Sequence, residues 1–254
     1  MEGRLDLLAG WRLRLYECAE REASDPVFLA LGDAIRKYNL SVTNLDNLLR
    51  AFEADVRRNR HQDFASLIDY SQYSANPVGR LVLELFGHRE PELVACSDNI
   101  CTALQLTNFW QDVRIDLERD RIYLPLDDLA RFNISLPDLQ RWGLRSQGKA
   151  VLELDDRWRD LMAFEIARTW EFFRRGKALP EKVAPVLRRQ LRLTWLAGTA
   201  ILARIEAANY DVFRRRPKLR WFDFVRLYLT ARHPITSEAT ERTAGVAAGP
   251  ERPV

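Results

Sequence analysis

The stretch Cys101-Thr-Ala-Leu-Gln-Leu-Thr-Asn-Phe-Trp-Gln-Asp-Val-Arg-Ile-Asp116 decides how this chain is read. Wound as an α-helix, it puts Cys101, Gln105, Asn108, Asp112 and Asp116 on one face, with about 16 Å between Gln105 and Asp116 at ~1.5 Å per residue. The neighbouring Leu104, Leu106, Phe109 and Trp110 are apolar and are expected to be buried. A polar stripe with buried flanks predicts the lining of a cavity, because enclosed amides and carboxylates need partners. An isolated i, i+4 pair of acids is more commonly a solvated helix face. Here the stripe runs on upstream through amides rather than through Lys or Glu. Two carboxylates about 6 Å apart also repel by ~3 kcal/mol at an effective dielectric of about 20. A divalent cation reverses that repulsion. Oxygen ligands with no His or Cys beside them point to Mg²⁺, which takes one or two carboxylates together with substrate phosphates.

Outward from this helix the apolar spacing stays helical. Leu187, Leu191, Trp195, Gly198, Leu202 and Ile205 recur at three- and four-residue steps, and Leu154, Trp158, Leu161, Ile166, Trp170 and Phe173 repeat the pattern. No alternating run is long enough to predict a strand, so the fold class expected is all-α. Ser24-Asp25-Pro26 and Ser41 to Asn44 read as helix starts. Gly87 to Pro91 and Pro125 to Pro137 read as turns, and Leu179 to Pro185 as the separator of two long helices. One domain is expected over residues 1–234. Residues 235–254, rich in Thr, Ala, Gly, Pro and Glu, read as a disordered tail.

Composition narrows the function. The 254 residues are 47% hydrophobic and 30% charged, with 11 Gly and 11 Pro, which excludes fibrous and low-complexity classes. Lys and Arg total 39 against 36 acids, a net charge of +3, so the basic excess of a nucleic-acid binder is missing. Three cysteines (Cys18, Cys96, Cys101) and three histidines (His61, His88, His233) lack zinc-site spacing, and a reduced cytosolic compartment is the natural expectation. The uncharged run Leu193 to Ala203 is too short to span a bilayer, and the charged first twenty residues are unlike a signal peptide. These features predict a soluble protein and leave peripheral membrane contact open.

Two further segments carry candidate chemistry. In Tyr70-Ser-Gln-Tyr-Ser-Ala-Asn-Pro-Val-Gly-Arg80, Pro77 and Gly79 predict a kink and a close backbone approach. Tyr70 and Tyr73, one turn apart, can face the same space, or can be ordinary core tyrosines with satisfied hydroxyls. In Asn209-Tyr-Asp-Val-Phe-Arg-Arg-Arg-Pro-Lys218, four cations in five positions can hold a diphosphate or merely solvate a helix end. The chain has no Walker A loop, no G-x-G-x-x-G and no G-x-S-x-G.

These residues resemble the squalene/phytoene synthase family, the head-to-head branch of the all-α isoprenoid synthases. Gln105-x-x-Asn108-x-x-x-Asp112-x-x-x-Asp116, followed by Arg121-x-Tyr123-Leu-Pro125, is similar to the family's second aspartate-rich signature. Tyr70-x-x-x-Ser-Ala-x-x-Val-Gly79 is similar to its other signature, with Asn76-Pro77 where many members have Gly and a small residue. The likeness covers roughly residues 10 to 230 and looks strongest toward bacterial hopanoid-pathway members that make hydroxysqualene or squalene.

The resemblance implies a single-domain helical bundle around a central cavity and an isoprenoid diphosphate lyase or transferase. Asp112 and Asp116 would hold Mg²⁺ against the diphosphate, with Asn108 as a further metal ligand and Gln105 in support. Arg121 and Arg216 would bind the diphosphate, and Tyr70 and Tyr73 would line the cavity and face a carbocation. The implied substrate is presqualene diphosphate, with water quenching the cation to hydroxysqualene. Relatives that make squalene itself use a nicotinamide cofactor. The implied setting is cytoplasmic, at the inner membrane surface.

One departure stands out. The family carries a first aspartate-rich motif on an early helix. Asp6, Asp25, Asp33, Asp46, Glu53 and Asp55 contain no i, i+4 pair, and Glu53 and Asp55, two apart, are not expected to share a helix face. The expectation is a chain lacking the first one or two helices and half of a metal site, binding diphosphate weakly as it stands. The alternatives are presqualene- or phytoene-type condensation of prenyl diphosphates, and a non-catalytic scaffold of the same fold.

Overall fold

The computed structural model describes residues 2–21, 23–144, 154–214 and 216–235. Its axis is the 28-residue helix α6 (Pro91–Glu118), which starts with proline at its first turn and has no Gly or further Pro to break it. Leu93, Ile100, Ala103, Leu106, Phe109, Trp110 and Val113 are buried along it. Each large side chain fully removed from water contributes about 1.5–3 kcal/mol, so this one helix anchors much of the core.

Helix α9 (Asp156–Gly176) lies against α6, capped by the Asp155 side chain accepting from the Trp158 amide at 3.3 Å. Trp110 Nε1 donates to Thr169 Oγ1 at 2.8 Å between the two helices. Gly176 permits their approach: a Cβ there would fall 2.8 Å from the Cys96 carbonyl oxygen and 3.2 Å from the Ile100 nitrogen. Helix α11 (Pro185–Ala207) adds Trp195, whose Nε1 donates to the Phe173 carbonyl at 2.9 Å.

On the other side of α6, α4 (Phe64–Ser74) and α5 (Asn76–Leu85) meet at Ala75, the kink expected from Pro77. A Cβ on Gly79 would stand 2.5 Å from Cys101 Sγ, so glycine lets α5 lie on α6. A smaller core joins α1 (Glu2–Glu20), α2 (Pro26–Tyr38) and α3 (Val42–Arg57) through Leu15, Cys18, Phe28, Ile35 and Leu49. Asp25 and Ser41 cap α2 and α3 as the sequence predicts.

Two predicted connections are more ordered than expected. Pro125 to Pro137 contains α7 (Leu126–Arg131), because Leu129 and Asp128 are buried and form a helical turn, and α8 (Leu136–Leu144) begins before Pro137. Leu179 to Pro185 contains α10 (Leu179–Lys182), held by burial of Leu179 and Pro180. The final helix is α12 (Trp221–Thr230). No strand occurs among the described residues; Arg60 and Ile122 form an isolated parallel bridge. The predicted tail lies, apart from Ile235, outside the described residues.

Candidate active site

Helix α6 carries the predicted row as one face. Gln105, Asp112 and Asp116 are half-buried, but Asn108 is exposed. The expectation that the whole row lines a cavity is therefore corrected at Asn108. Among the described residues no helix covers Asn108, so the row forms an open, half-sheltered edge.

Across this edge, Arg216 Nη2 donates to Asp112 Oδ2 at 2.9 Å, and its Nε donates to Asp112 Oδ1. The same Nη2 donates to Gln111 Oε1 at 3.2 Å, while buried Gln111 donates its Nε2 proton to the Pro217 carbonyl. The chain at 216–217 is thus strapped onto α6. Asp116 accepts no side-chain hydrogen bond among the described residues. Burial first, and the Asp112 charge second, push its pKa up to about 6 against the opposing pull of Arg121 and Arg119. Asp112 is thus paired with one guanidinium, while Asp116 feels two more without a hydrogen bond to either.

An aromatic cluster adjoins the row. Phe109 and Tyr123 stack with centroids 3.9 Å apart, Tyr70 lies 6.3 Å from Phe109 and 6.2 Å from Tyr123, and His61 lies 5.4 Å from Tyr70. The Tyr70 hydroxyl donates to Asp55 Oδ1 at 2.7 Å, and burial and the Asp55 carboxylate push the phenol's pKa upward, keeping it protonated. Burial lowers the His61 pKa, which favours its neutral form. A cavity of about 320 Å³ is bordered by Tyr70, Tyr73, Asp55, Glu53, His61 and Arg50. Tyr70 and Tyr73 do share one space, and the Arg50 guanidinium lies 4.5 Å from the Tyr73 centroid.

Glu53 and Asp55 both border that cavity although their spacing keeps them off a common face of α3. The cavity is wide enough to reach both flanks of α3, where Arg12 Nη1 binds Glu53 at 2.6 Å and Tyr70 binds Asp55. Asp116, Arg121 and Tyr123 border a second, much smaller pocket, so the aromatic cluster supplies wall to both. His61, Phe109 and Gln111 join the site without having been singled out for it in the sequence, and Asp55, weighed there only as a motif acid, holds the Tyr70 hydroxyl. Phe109 and Gln111 lie within the quoted signature, which was the available signal; His61 carries none.

Among the described residues no group of three or more His, Cys, Asp or Glu could hold a metal. The oxygens of Asp112 and Asp116, with Asn108 on the same face, suit an ion that draws its remaining ligands from phosphate rather than from a protein cage. The half-buried Asp116 carboxylate, with no side-chain hydrogen bond among the described residues, is the observation in favour of that fit.

An all-α domain with paired carboxylates, a facing arginine and an aromatic-walled cavity defines an isoprenoid-synthase type of protein. Residues 2–223 match the squalene/phytoene synthase family, and this chain belongs to it. It is 32% identical over 225 residues to the phytoene synthase of Arthrospira platensis, covering 84% of this chain and 70% of that one. It is 34% identical over 229 residues to the 15-cis-phytoene synthase of a Synechocystis species, covering 83% of this chain and 63% of that one, so it spans less than two thirds of the latter's length. The crystal structure of squalene synthase HpnC from Alicyclobacillus acidocaldarius superimposes with a TM-score of 0.75 at 37% identity, covering 82% of this chain and 75% of the other. A dehydrosqualene synthase crystallised with a ligand shares the fold, with a TM-score of 0.78 at 20% identity over 89% of this chain and 76% of the other.

Proposed function

We propose that this chain converts presqualene diphosphate to hydroxysqualene, or to squalene, with loss of diphosphate. The observation that carries the reading is Arg216 brought onto the Asp112–Asp116 face of α6 beside the Tyr70–Phe109–Tyr123 cluster. Likeness to the HpnC squalene synthase supports the choice of substrate class.

Asp112, Asp116 and Asn108 would hold Mg²⁺, which when bound neutralises the charge of the departing diphosphate. Arg216 and Arg121 bind phosphate oxygens, and Gln105 orients the chain entering the site. When the carbon–oxygen bond breaks, the diphosphate leaves with the electron pair and a carbocation remains. The faces of Tyr70, Phe109 and Tyr123 stabilise that cation, while Tyr73 bounds the space beside them. The Tyr70 hydroxyl stays protonated, with its proton held by Asp55 Oδ1. Water supplies the hydroxyl and releases one proton. A nicotinamide cofactor is needed only if hydride replaces water.

Similarity to phytoene synthases favours a second reading, condensation of two prenyl diphosphates. Separate incubations with presqualene diphosphate, farnesyl diphosphate and geranylgeranyl diphosphate distinguish them. Consumption of presqualene diphosphate alone is the expected result; turnover of either of the others alone overturns it. A third reading is a non-catalytic scaffold of the same fold, in which none of these substrates is consumed. The setting we propose is the cytoplasmic face of the membrane. No helix among the described residues is long and apolar enough to cross it.

A further inference from the structure

Helix α12 (Trp221–Thr230) buries only Asp223 and Leu227. Trp221 is 78% exposed, and Phe222, Phe224, Val225, Tyr228 and Leu229 are between 42% and 52% exposed. A scattered exposed leucine needs no explanation, but six large apolar side chains on a ten-residue helix do.

The exposed charges of the segment 218–232 have one sign. Lys218, Arg220, Arg226 and Arg232 are exposed. The one acid of the helix, Asp223, is turned inward, where it accepts from Arg204 at 2.7 Å and from the Arg220 amide at 2.5 Å. The Arg220 guanidinium lies 5.9 Å from the Phe222 ring and that of Arg232 5.9 Å from the Tyr228 ring, while Arg189 donates to the Tyr228 hydroxyl at 2.8 Å.

We propose that α12 seats this protein on an anionic lipid surface, lying in the headgroup plane with its aromatic face toward the acyl chains. The inference rests on the peripheral-membrane setting proposed above and gives it a residue-level surface. About 15 Å of helix is too short to cross a bilayer and long enough to lie in its interface. Aromatic rings with arginines at their edges suit that zone, where rings sit at headgroup depth and arginines reach for phosphates. A second copy of this chain is the poorer occupant, because a self-complementary contact would set cations against cations. Residues 236–254, which follow, contain no Leu, Ile, Met, Phe, Trp or Tyr with which to cover the face. The exposed Leu7, Trp11, Leu13 and Tyr16 of α1 lack this charge match, since Asp6 and Glu17 lie among Arg4 and Arg14.

The geometry also gives the surface a use. Arg216 and Pro217 are bound to α6 through Asp112 and Gln111, and Trp221 follows Arg216 by five residues, at most about 17 Å of chain. Docking through α12 would hold the candidate site close to the phase in which long isoprenoid chains dissolve.

The test is flotation of the full chain with vesicles of phosphatidylcholine alone and of equimolar phosphatidylcholine and phosphatidylglycerol. The wild type is expected to float with the anionic vesicles and to be released by salt. Trp221→Ser with Phe224→Ser is expected to weaken that partition about tenfold or more, and Arg232→Gln severalfold. Unchanged thermal midpoints show that the variants fold, and Trp221→Ser alone serves if the pair does not. Equal binding by variant and wild type overturns the assignment to α12 while leaving a membrane setting intact. A wild type that floats with neither vesicle overturns both. A dimer in solution that the serine variants break, without vesicle binding, assigns the face to a second copy and overturns the lipid proposal.

Discussion

Arg216 reaches back across 104 residues to grip both oxygens of Asp112, with Nη2 2.9 Å from Oδ2. The pair is only partly sheltered, with side-chain exposures of 34% and 24%, so its direct contribution to stability is small, about 1 kcal/mol or less. Its consequence is positional. The arginine is parked on the carboxylate beside which a diphosphate would arrive, and a phosphate can take over its two hydrogen bonds.

Arg216→Gln is therefore expected to leave folding intact and to weaken binding of inorganic pyrophosphate in the presence of Mg²⁺ by about 10- to 100-fold, the worth of one charge-assisted contact. Titration calorimetry with pyrophosphate measures it. Affinity equal to the wild type would remove Arg216 from the site.

Asp112→Asn and Asp116→Asn are each expected to lower turnover of the true substrate by about a hundredfold or more, since both carboxylates act on charge that develops at the leaving group. The two differ in stability. Asp112→Asn removes the partner of Arg216, whereas Asp116→Asn removes a charge that burial and Asp112 already disfavour. Only the first should lower the melting temperature. Retention of Mg²⁺-dependent turnover by both variants would refute the assignment.

Glu165 offers a pH prediction away from the site. Its side chain is fully buried, Oε1 accepts from Arg168 at 2.7 Å, and Oε2 has no partner among the described residues. Burial, outweighing Arg168, raises its pKa to about 8. In the unfolded chain the group ionises near its ordinary value of 4.5. Between these values the unfolded state sheds the proton first, so stability falls as pH rises from about 4.5 to about 8 and levels above that. Glu165→Gln should abolish this part of the decline, lying close to the wild type at pH 5 and exceeding it by about 4 kcal/mol at pH 8.5, with a correspondingly higher Tm there. Melts across that range decide it, and an unchanged slope in the variant would clear Glu165 of the role.

Two glycines give opposite expectations. Gly176→Ala sets a methyl against backbone atoms of Cys96 and Ile100, which cannot rotate away, and should cost about 1–3 kcal/mol. Gly10→Ala, on exposed α1 with nothing within 4 Å, should stabilise by up to about 1 kcal/mol. Urea midpoints of the two variants should move in opposite directions.

Much of the site could be read because helical order is local. Gln105, Asn108, Asp112 and Asp116 share a face by arithmetic alone, and the caps at Asp25 and Ser41 follow from short-range chemistry. Readings failed where packing decides. The segments around Leu126 and Leu179 look like turns, yet burial of Leu129 and Leu179 winds them into short helices. The spacing of Glu53 and Asp55 does separate them on α3; that both nevertheless border one cavity is set by its width, which no spacing encodes.

The chain's residue order alone determined an all-α architecture, the polar face of α6 and the family signatures, since each depends on contacts within a few turns of one helix. The tertiary structure alone decided that Arg216 meets Asp112, that Tyr70 meets Asp55, that Asn108 stands open to solvent and that α12 shows its aromatic side outward. Such meetings join segments tens of residues apart. Their energy comes from how helices pack, and packing leaves no local pattern to read.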